Sequence, residues 1–182
     1  MKKLFLFFIF LTSSALAENS NNIVQKLKNI DNLSFNFEQN INGKIEKGNC
    51  IIEYPKKIYC KYNLKNEKIL VSNGRSLVVK TLDSYYLYPI EKTPLNFILN
   101  KNFLLKKIIN LNGRIINNKF LNYKFIESEN EINLFFDKTT HNLIGWQTLD
   151  IYQNLSITYI NSISKNNKLK KNLFKLPKKV NY

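Results

Sequence analysis

The sequence is poor in the residues from which catalytic and metal centres are usually built. Its 182 residues include one histidine, two cysteines and five glycines. Those histidine and cysteine side chains cannot supply the four ligands of an ordinary zinc site, and no Gly-x-Ser-x-Gly or Walker motif occurs. His141 lies in a polar turn, where we expect a solvated side chain. The sequence therefore predicts a protein that is not an enzyme and that uses neither a cofactor nor a metal.

No apolar run reaches the roughly 20 residues that a membrane-spanning helix needs. The longest run, residues 4–11, follows Met1-Lys2-Lys3 and precedes a small-x-small site at residues 15–17. A basic, an apolar and a small-residue region in this order are typical of a secretory signal peptide. We therefore expect residues 1–17 to be cleaved and residues 18–182 to form one domain in the periplasm. The first residue of that domain, Glu18, is not a cysteine, so lipidation there is not expected.

Acidic residues are also scarce, with 13 Asp+Glu against 28 Lys+Arg and a formal net charge of +15. In a cytosolic protein this charge would indicate a nucleic-acid partner. An exported protein does not meet DNA or RNA, so we expect no nucleic-acid binding. The lysines are spread along the chain, which favours a general compositional bias. Attraction to anionic lipids or to an acidic partner stays open as the alternative.

Alternating patterns dominate the chain after residue 32. Leu33, Phe35 and Phe37 alternate with polar residues, which predicts a strand with one buried and one solvated face. Asn-Gly pairs at residues 42–43 and 73–74 predict turns. Further strands are predicted at residues 49–53, 58–64, 68–72, 77–82, 85–89, 121–125, 132–136, 143–149 and 155–159. Consecutive strands with short turns predict an antiparallel sheet, strongly curved so that it covers its own apolar face.

Three short segments have helical spacing instead. Ile23, Leu27 and Ile30 recur at i, i+4 and i+7. Thr93 followed by Pro94 predicts a helix N-cap with proline at the first helical position. A further helix is predicted over residues 103–109. Because no linker or repeat divides the chain, we predict a mainly β protein with a few helices (α+β).

The two cysteines lie symmetrically about Pro55. A hairpin turning at residues 54–56 would place Cys50 and Cys60 directly opposite each other on one face of the sheet. Two buried thiols and a disulfide both fit this arrangement. An oxidising compartment favours the disulfide, with a structural role.

Several short motifs occur in a characteristic order. They are a helix and strand over residues 23–39, Gly48 with residues 54–62, residues 69–77, Thr93-Pro94-Leu95, residues 143–146 with Asp150, and residues 173–177. Each is weak alone, but their order over nearly the whole chain after the signal resembles the LolA family of periplasmic lipoprotein carriers. The stretch at residues 69–77, for example, is similar to the family's Ile-x-Val-Ser-Asp-Gly-x-x-Leu.

The resemblance implies an unclosed half-barrel of antiparallel strands, whose concave face is lined and lidded by short helices. It implies a hydrophobic cavity that takes the acyl chains of a lipoprotein. It also implies cargo received from an ATP-driven inner-membrane complex and passed to an outer-membrane acceptor, with no cofactor. We expect a monomer.

Candidate site residues follow from the same resemblance. Tyr54 occupies the position of the arginine that holds the family's lid, so it is the candidate gate, with a hydroxyl that can donate but carries no charge. Cys60 replaces a usual aromatic residue, and a bridge to Cys50 would compensate for the lost packing. The candidate cavity and lid residues are Ile23, Leu27, Ile30, Phe35, Phe37, Ile52, Ile58, Leu95 and Ile98.

Other classes of protein share some of these features. Half-barrel carriers of glycolipids or envelope lipids have the same expected fold and are the main alternative. The related LolB acceptors need a lipidated cysteine after the signal, and Glu18 argues against one. A small outer-membrane β-barrel would fit the length, but Pro177 and many lysines interrupt its last segment. A hydrolase would need a nucleophile beside a base, which the sequence does not show. Lipoprotein carriage is therefore the predicted function.

Overall fold

The computed structural model describes residues 13–149 and 153–179, with side chains from residue 18 onward. Residues 1–12 of the predicted signal peptide and the motif residue Asp150 lie outside these limits. The helices are α1 (Ser13–Lys28), α2 (Leu95–Ile98) and α3 (Lys101–Asn110), and a 3₁₀ helix spans Ile90–Lys92. The strands are β1 (Asn32–Ile41), β2 (Lys44–Glu53), β3 (Lys57–Tyr62), β4 (Ile69–Asn73), β5 (Ser76–Lys80), β6 (Tyr85–Pro89), β7 (Arg114–Ile116), β8 (Phe120–Glu127), β9 (Asn130–Asp137), β10 (Leu143–Leu149) and β11 (Leu155–Lys165). None of the helices in these ranges is long and apolar enough to cross a membrane.

The strands form one antiparallel sheet of eleven strands in the order β6-β5-β4-β3-β2-β1-β11-β10-β9-β8-β7. Strands β6 and β7 are its two edges, so the sheet is not closed into a barrel. The predicted mainly β fold with an open antiparallel sheet is confirmed. Within each half of the sheet, neighbouring strands are neighbours in sequence. The two halves meet where β1 pairs with β11.

The predicted Asn-Gly turns are present. Asn42 and Gly43 join β1 to β2 with φ angles of 49° and 88°, and the Asn40 side chain accepts a hydrogen bond from the Gly43 N–H at 2.7 Å. Gly74, between β4 and β5, has φ 96°. Positive φ is the conformation that Asn and Gly adopt most readily, so the sequence specifies these hairpins locally.

Two details of the helices differ from the predictions. Helix α1 begins before Ile23, because the preceding residues contain no proline or glycine that would end a helix. The Thr93 N-cap prediction is wrong. The Thr93 hydroxyl donates to the Ile90 carbonyl at 2.8 Å and so closes the 3₁₀ helix, while α2 starts after Pro94 without a side-chain cap. The short edge strand β7 was not predicted.

The core lies between the concave face of the sheet and the helices. Inward residues of the strands pack with Leu27 of α1 and with Leu104 and Ile108 of α3 in one buried cluster. The Lys101 ammonium at the start of α3 donates to the Ile30 carbonyl at 2.9 Å, which joins the beginning of α3 to the segment after α1. The helices thereby cover part of the concave face and leave a cavity over the rest.

Gly48 creates room for an aromatic pair on that face. It lies opposite Phe37 on one side and Tyr62 on the other. The two rings meet edge to face across it, with centroids 4.9 Å apart. A Cβ at position 48 would lie 2.8 Å from the Phe37 ring and 2.2 Å from the Lys61 carbonyl oxygen. A side chain is therefore excluded at this position unless the sheet shifts.

Candidate functional site

A cavity of about 220 Å³ lies between the concave face of the sheet and the start of α2. Its floor is formed by side chains of β1 to β6, β10 and β11, and its cover by Thr93, Pro94 and Leu95. It extends to the strand ends, where Ile41 and Leu149 are partly exposed. The apolar part of its wall comprises Phe37, Ile58, Leu70, Leu77, Val79, Leu95 and Trp146.

A disulfide forms part of the same wall. Cys50 and Cys60 face each other across β2 and β3 and are bonded, with their Cα atoms 4.1 Å apart. Both are buried, and both line the cavity. The bond therefore joins two strands directly beneath the space that a ligand would occupy.

Polar side chains line the cavity toward the end where β1 turns into β2. Gln39, Tyr62, Thr148, Ser156 and Thr158 point inward there, and we refer to these five residues as the polar belt. The sequence analysis did not identify them. The only available signal was the alternation of inward and outward positions along the strand. Gln39 continues the inward series that begins with Leu33, Phe35 and Phe37.

An ion pair stands beside the polar belt. The Glu46 carboxylate is 3% exposed and lies 2.5 Å from the Lys68 ammonium and 3.1 Å from the Lys44 ammonium. Burial raises the pKa of Glu46, but the hydrogen bonds and charges of the two lysines outweigh burial and hold that pKa below its ordinary value. The Lys68 ammonium also lies 4.2 Å from the centre of the Tyr62 ring. Lys68 is therefore already neutralised and packed within the protein.

The cover of the cavity is attached to the turn between β2 and β3. The Lys56 N–H donates to the Leu99 carbonyl, just past α2, at 2.7 Å. Tyr54, the candidate gate, belongs to this same turn. The turn that contains the predicted gate residue is thus joined by a main-chain hydrogen bond to the residue that follows α2.

The Tyr54 hydroxyl is buried and has no hydrogen-bond partner in the part of the chain that the structure describes. Its burial raises the pKa of the phenol above its ordinary value. The Oδ1 atom of Asn96, in α2, is buried and unpaired in the same way. Unpaired buried polar atoms are costly, so both elements at the cover contain a group that would gain from a new partner.

The structure distributes the candidate cavity residues over three places. Phe37, Ile58 and Leu95 line the 220 Å³ cavity. Phe35, Ile52 and Ile98 are buried in the core next to it without lining it. Ile23 and Leu27 of α1, with Ile30 just after the end of α1, line a much smaller space of about 20 Å³ beneath that helix. Only the first group is therefore placed to touch a ligand in this arrangement.

Known proteins share this sequence pattern and this fold. The family model of the "Outer membrane lipoprotein carrier protein LolA" matches residues 28–177. An uncharacterized conserved protein from Thermus thermophilus has a similar fold, with a TM-score of 0.51 and 7% identity over 90% of this chain and 94% of that chain. LprF from Mycobacterium bovis is 13% identical over 87% of this chain and 97% of that one, with a TM-score of 0.49.

The LolA superfamily protein NE2245 from Nitrosomonas europaea is 9% identical, with a TM-score of 0.46, over 86% of this chain and 97% of that one. No curated protein matches the chain. The family model spans most of the sequence, and the open half-barrel fold agrees with the fold that the resemblance implied. The chain belongs to the LolA family.

Proposed function

We propose that this protein is a periplasmic carrier that binds the acyl chains of lipoproteins and moves them from the inner to the outer membrane. The observation that carries the proposal is the apolar cavity under α2, in a chain of the LolA family. Burying an acyl chain there is favourable by about 0.8 kcal/mol for each CH₂ group. Binding and release are sufficient for this function, and the proposal assigns no catalytic step to the chain.

The size of the cavity implies that its cover moves when cargo enters. Its 220 Å³ is below the roughly 300–1,000 Å³ typical of ligand pockets, and a lipoprotein brings more than one acyl chain. We infer that residues 93–99 lift away from the sheet to admit them. Cargo can drive this change only by binding the open form more tightly than the closed one. The main-chain bond between Lys56 and Leu99 is one contact that this opening would break.

The partners in this proposal follow the family. Cargo would come from an ATP-driven inner-membrane complex and would pass to an outer-membrane acceptor, with the carrier acting as a monomer. Transfer in this direction requires only that the acceptor bind the acyl chains more tightly than the carrier does. Such a transfer by relative affinity calls for neither a metal nor a cofactor.

Native mass spectrometry of the purified protein with a synthetic triacylated lipopeptide tests the proposal. We expect a one-to-one complex. Replacing Leu70, which lines the cavity, by Trp should fill the space and abolish the complex. The matched variant Leu87→Trp changes a side chain that is 56% exposed, and binding should persist. Absence of lipopeptide binding by the wild-type protein, or equal binding by both variants, would refute the cavity as the acyl site.

A further inference from the structure

The polar belt of Gln39, Tyr62, Thr148, Ser156 and Thr158 is unusual for a cavity that takes only hydrocarbon. All five residues line it. They form a continuous group, because Gln39 is opposite Thr158 in the ladder between β1 and β11, and Thr148 is opposite Ser156 in the ladder between β10 and β11. One end of the cavity is thus able to form hydrogen bonds, while the other is apolar.

Gln39 organises this group. Its amide nitrogen donates to the Ser156 hydroxyl at 2.8 Å and to the Thr158 hydroxyl at 3.3 Å. Its amide oxygen accepts from the Tyr62 hydroxyl at 3.4 Å. Both N–H groups and the oxygen are therefore engaged, which fixes the orientation of the amide. Gln39 acts as a positioning residue for the two hydroxyls on β11.

The hydroxyls of Ser156 and Thr158 are left with protons to donate. Each oxygen accepts from Gln39, and neither hydroxyl donates to another group among the described residues. Ser156 is 4% exposed, Thr158 is 3% exposed, and Thr148 beside them is 7% exposed. A buried donor without an acceptor costs free energy. A ligand that brings acceptor oxygens to this end of the cavity would remove that cost.

The charges around the polar belt favour an uncharged acceptor. Of the described residues that line the cavity, Lys68 alone carries a charge. Its ammonium is already paired with the Glu46 carboxylate. A carboxylate or phosphate entering here would find no unpaired cation, because Glu46 already holds both Lys68 and Lys44. The oxygen of an ester or an amide needs only a donor and brings no charge.

We propose that the polar belt binds the ester or amide carbonyl oxygens that join acyl chains to their head group, and so holds the head end of the ligand at the cavity mouth. This inference rests on the proposed function, because it assigns a subsite within the same acyl cavity. It adds that the protein recognises the linkage between chain and head as well as the hydrocarbon.

The test uses two ligands that differ by one carbonyl group, monolauroylglycerol and its ether analogue dodecylglycerol. Trp146 is the single tryptophan of the chain and lines the cavity, so its fluorescence reports binding. We expect the wild-type protein to bind the ester about 3- to 10-fold more tightly than the ether, as a single hydrogen bond in a buried site would give. Equal affinities for the two would overturn the inference and leave acyl binding intact. Failure to bind either ligand would instead refute the proposed function.

Single substitutions test whether the hydroxyls of Ser156 and Thr158 cause the preference for the ester. In Thr158→Val and in Ser156→Ala we expect the ratio of ester affinity to ether affinity to fall toward unity. Thr140→Val, at an exposed turn position, is the matched control and should keep the wild-type ratio. The two belt variants are independent, so the test holds if one of them does not fold. A wild-type ratio in a folded belt variant would overturn the assignment.

Ester carbonyls occur in phospholipids as well as in lipoproteins, and competition distinguishes these sources. A triacylated lipopeptide and a phosphatidylglycerol of equal acyl length are each added to the complex with monolauroylglycerol. Because phosphate lacks a free cation in this site, we expect the lipopeptide to displace the ester at the lower concentration. Displacement by phosphatidylglycerol alone would support the carbonyl subsite with a membrane lipid as the ligand. Displacement by neither would overturn the inference.

Discussion

Replacing Tyr54 by phenylalanine should stabilise the protein. The Tyr54 hydroxyl is buried without a hydrogen-bond partner in the described part of the chain, so folding removes it from water and provides no replacement. The phenylalanine ring keeps the packing and removes the polar atom. The variant therefore tests directly whether this candidate gate residue contains an unsatisfied group.

The expected magnitude follows from the cost of such a group, about 1–3 kcal/mol. Allowing for partial relaxation around the ring, we expect the free energy of unfolding to rise by about 1 kcal/mol, which corresponds to about 2–4 °C in Tm for a chain of this size. Urea titration and thermal melting followed by circular dichroism measure both quantities.

Tyr123→Phe is the matched control. The Tyr123 hydroxyl lies 2.9 Å from the Ser20 hydroxyl in a buried pair. Removing it loses a hydrogen bond, so this variant should be destabilised by about 1 kcal/mol. If Tyr54→Phe were destabilised to a similar degree, the Tyr54 hydroxyl would have a partner and the argument would be wrong.

Three further predictions concern the wall of the cavity. Gly48→Ala should lower the free energy of unfolding by about 2–3 kcal/mol, because its Cβ would meet the Lys61 carbonyl oxygen; urea titration measures this. Replacing Cys50 and Cys60 together by serine should cost about 2–3 kcal/mol, the chain-entropy value for so short a closed loop, by the same titration. Stability should fall above about pH 10 by about 1.4 kcal/mol per pH unit for each buried phenol. Burial and the charge of Glu46 raise the pKa of Tyr62, so it stays protonated in the fold while the unfolded chain ionises.

Each of these predictions has a control. Gly43→Ala places a Cβ where nothing lies within 4 Å, although the φ of 88° at this position adds strain. It should therefore lower the free energy of unfolding by less than Gly48→Ala does. A reducing agent should destabilise the wild-type protein but not the double serine variant. Tyr62→Phe should reduce the alkaline loss of stability. A pH dependence unchanged in that variant would contradict the assignment to Tyr62.

The architecture of the sheet could be predicted from the sequence because its determinants are local. Alternation fixes which residues of a strand face inward, as for Leu33, Phe35 and Phe37. Asn-Gly pairs fix the turns at residues 42–43 and 73–74. The facing positions of Cys50 and Cys60 followed from their symmetry about Pro55. None of these inferences depends on contacts between distant parts of the chain.

The cavity could not be predicted in the same way. Phe35 and Phe37 are the same residue type and both face inward from β1. Phe35 is nevertheless packed in the core, while Phe37 lines the cavity. The difference depends on where the helices end above the sheet. The polar belt was missed for a related reason, because Gln39 acquires its role only from Ser156, 117 residues away. Thr93 was misassigned because its hydroxyl can form a hydrogen bond either to the residues before it or to the helix after it. The 3₁₀ helix before it was not predicted, so only the second possibility was considered.

The pairing of β1 with β11 also determines the order in which the protein can be assembled. All other strand pairs join sequence neighbours, so each half can form from hairpins with little loss of chain entropy. Only the β1–β11 ladder brings together segments from opposite ends of the fold. The cavity has walls from both halves, so it does not exist until the last strand has been added. A chain interrupted before residue 155 would thus lack β11 and, with it, the inward residues Ser156 and Thr158 of the cavity wall.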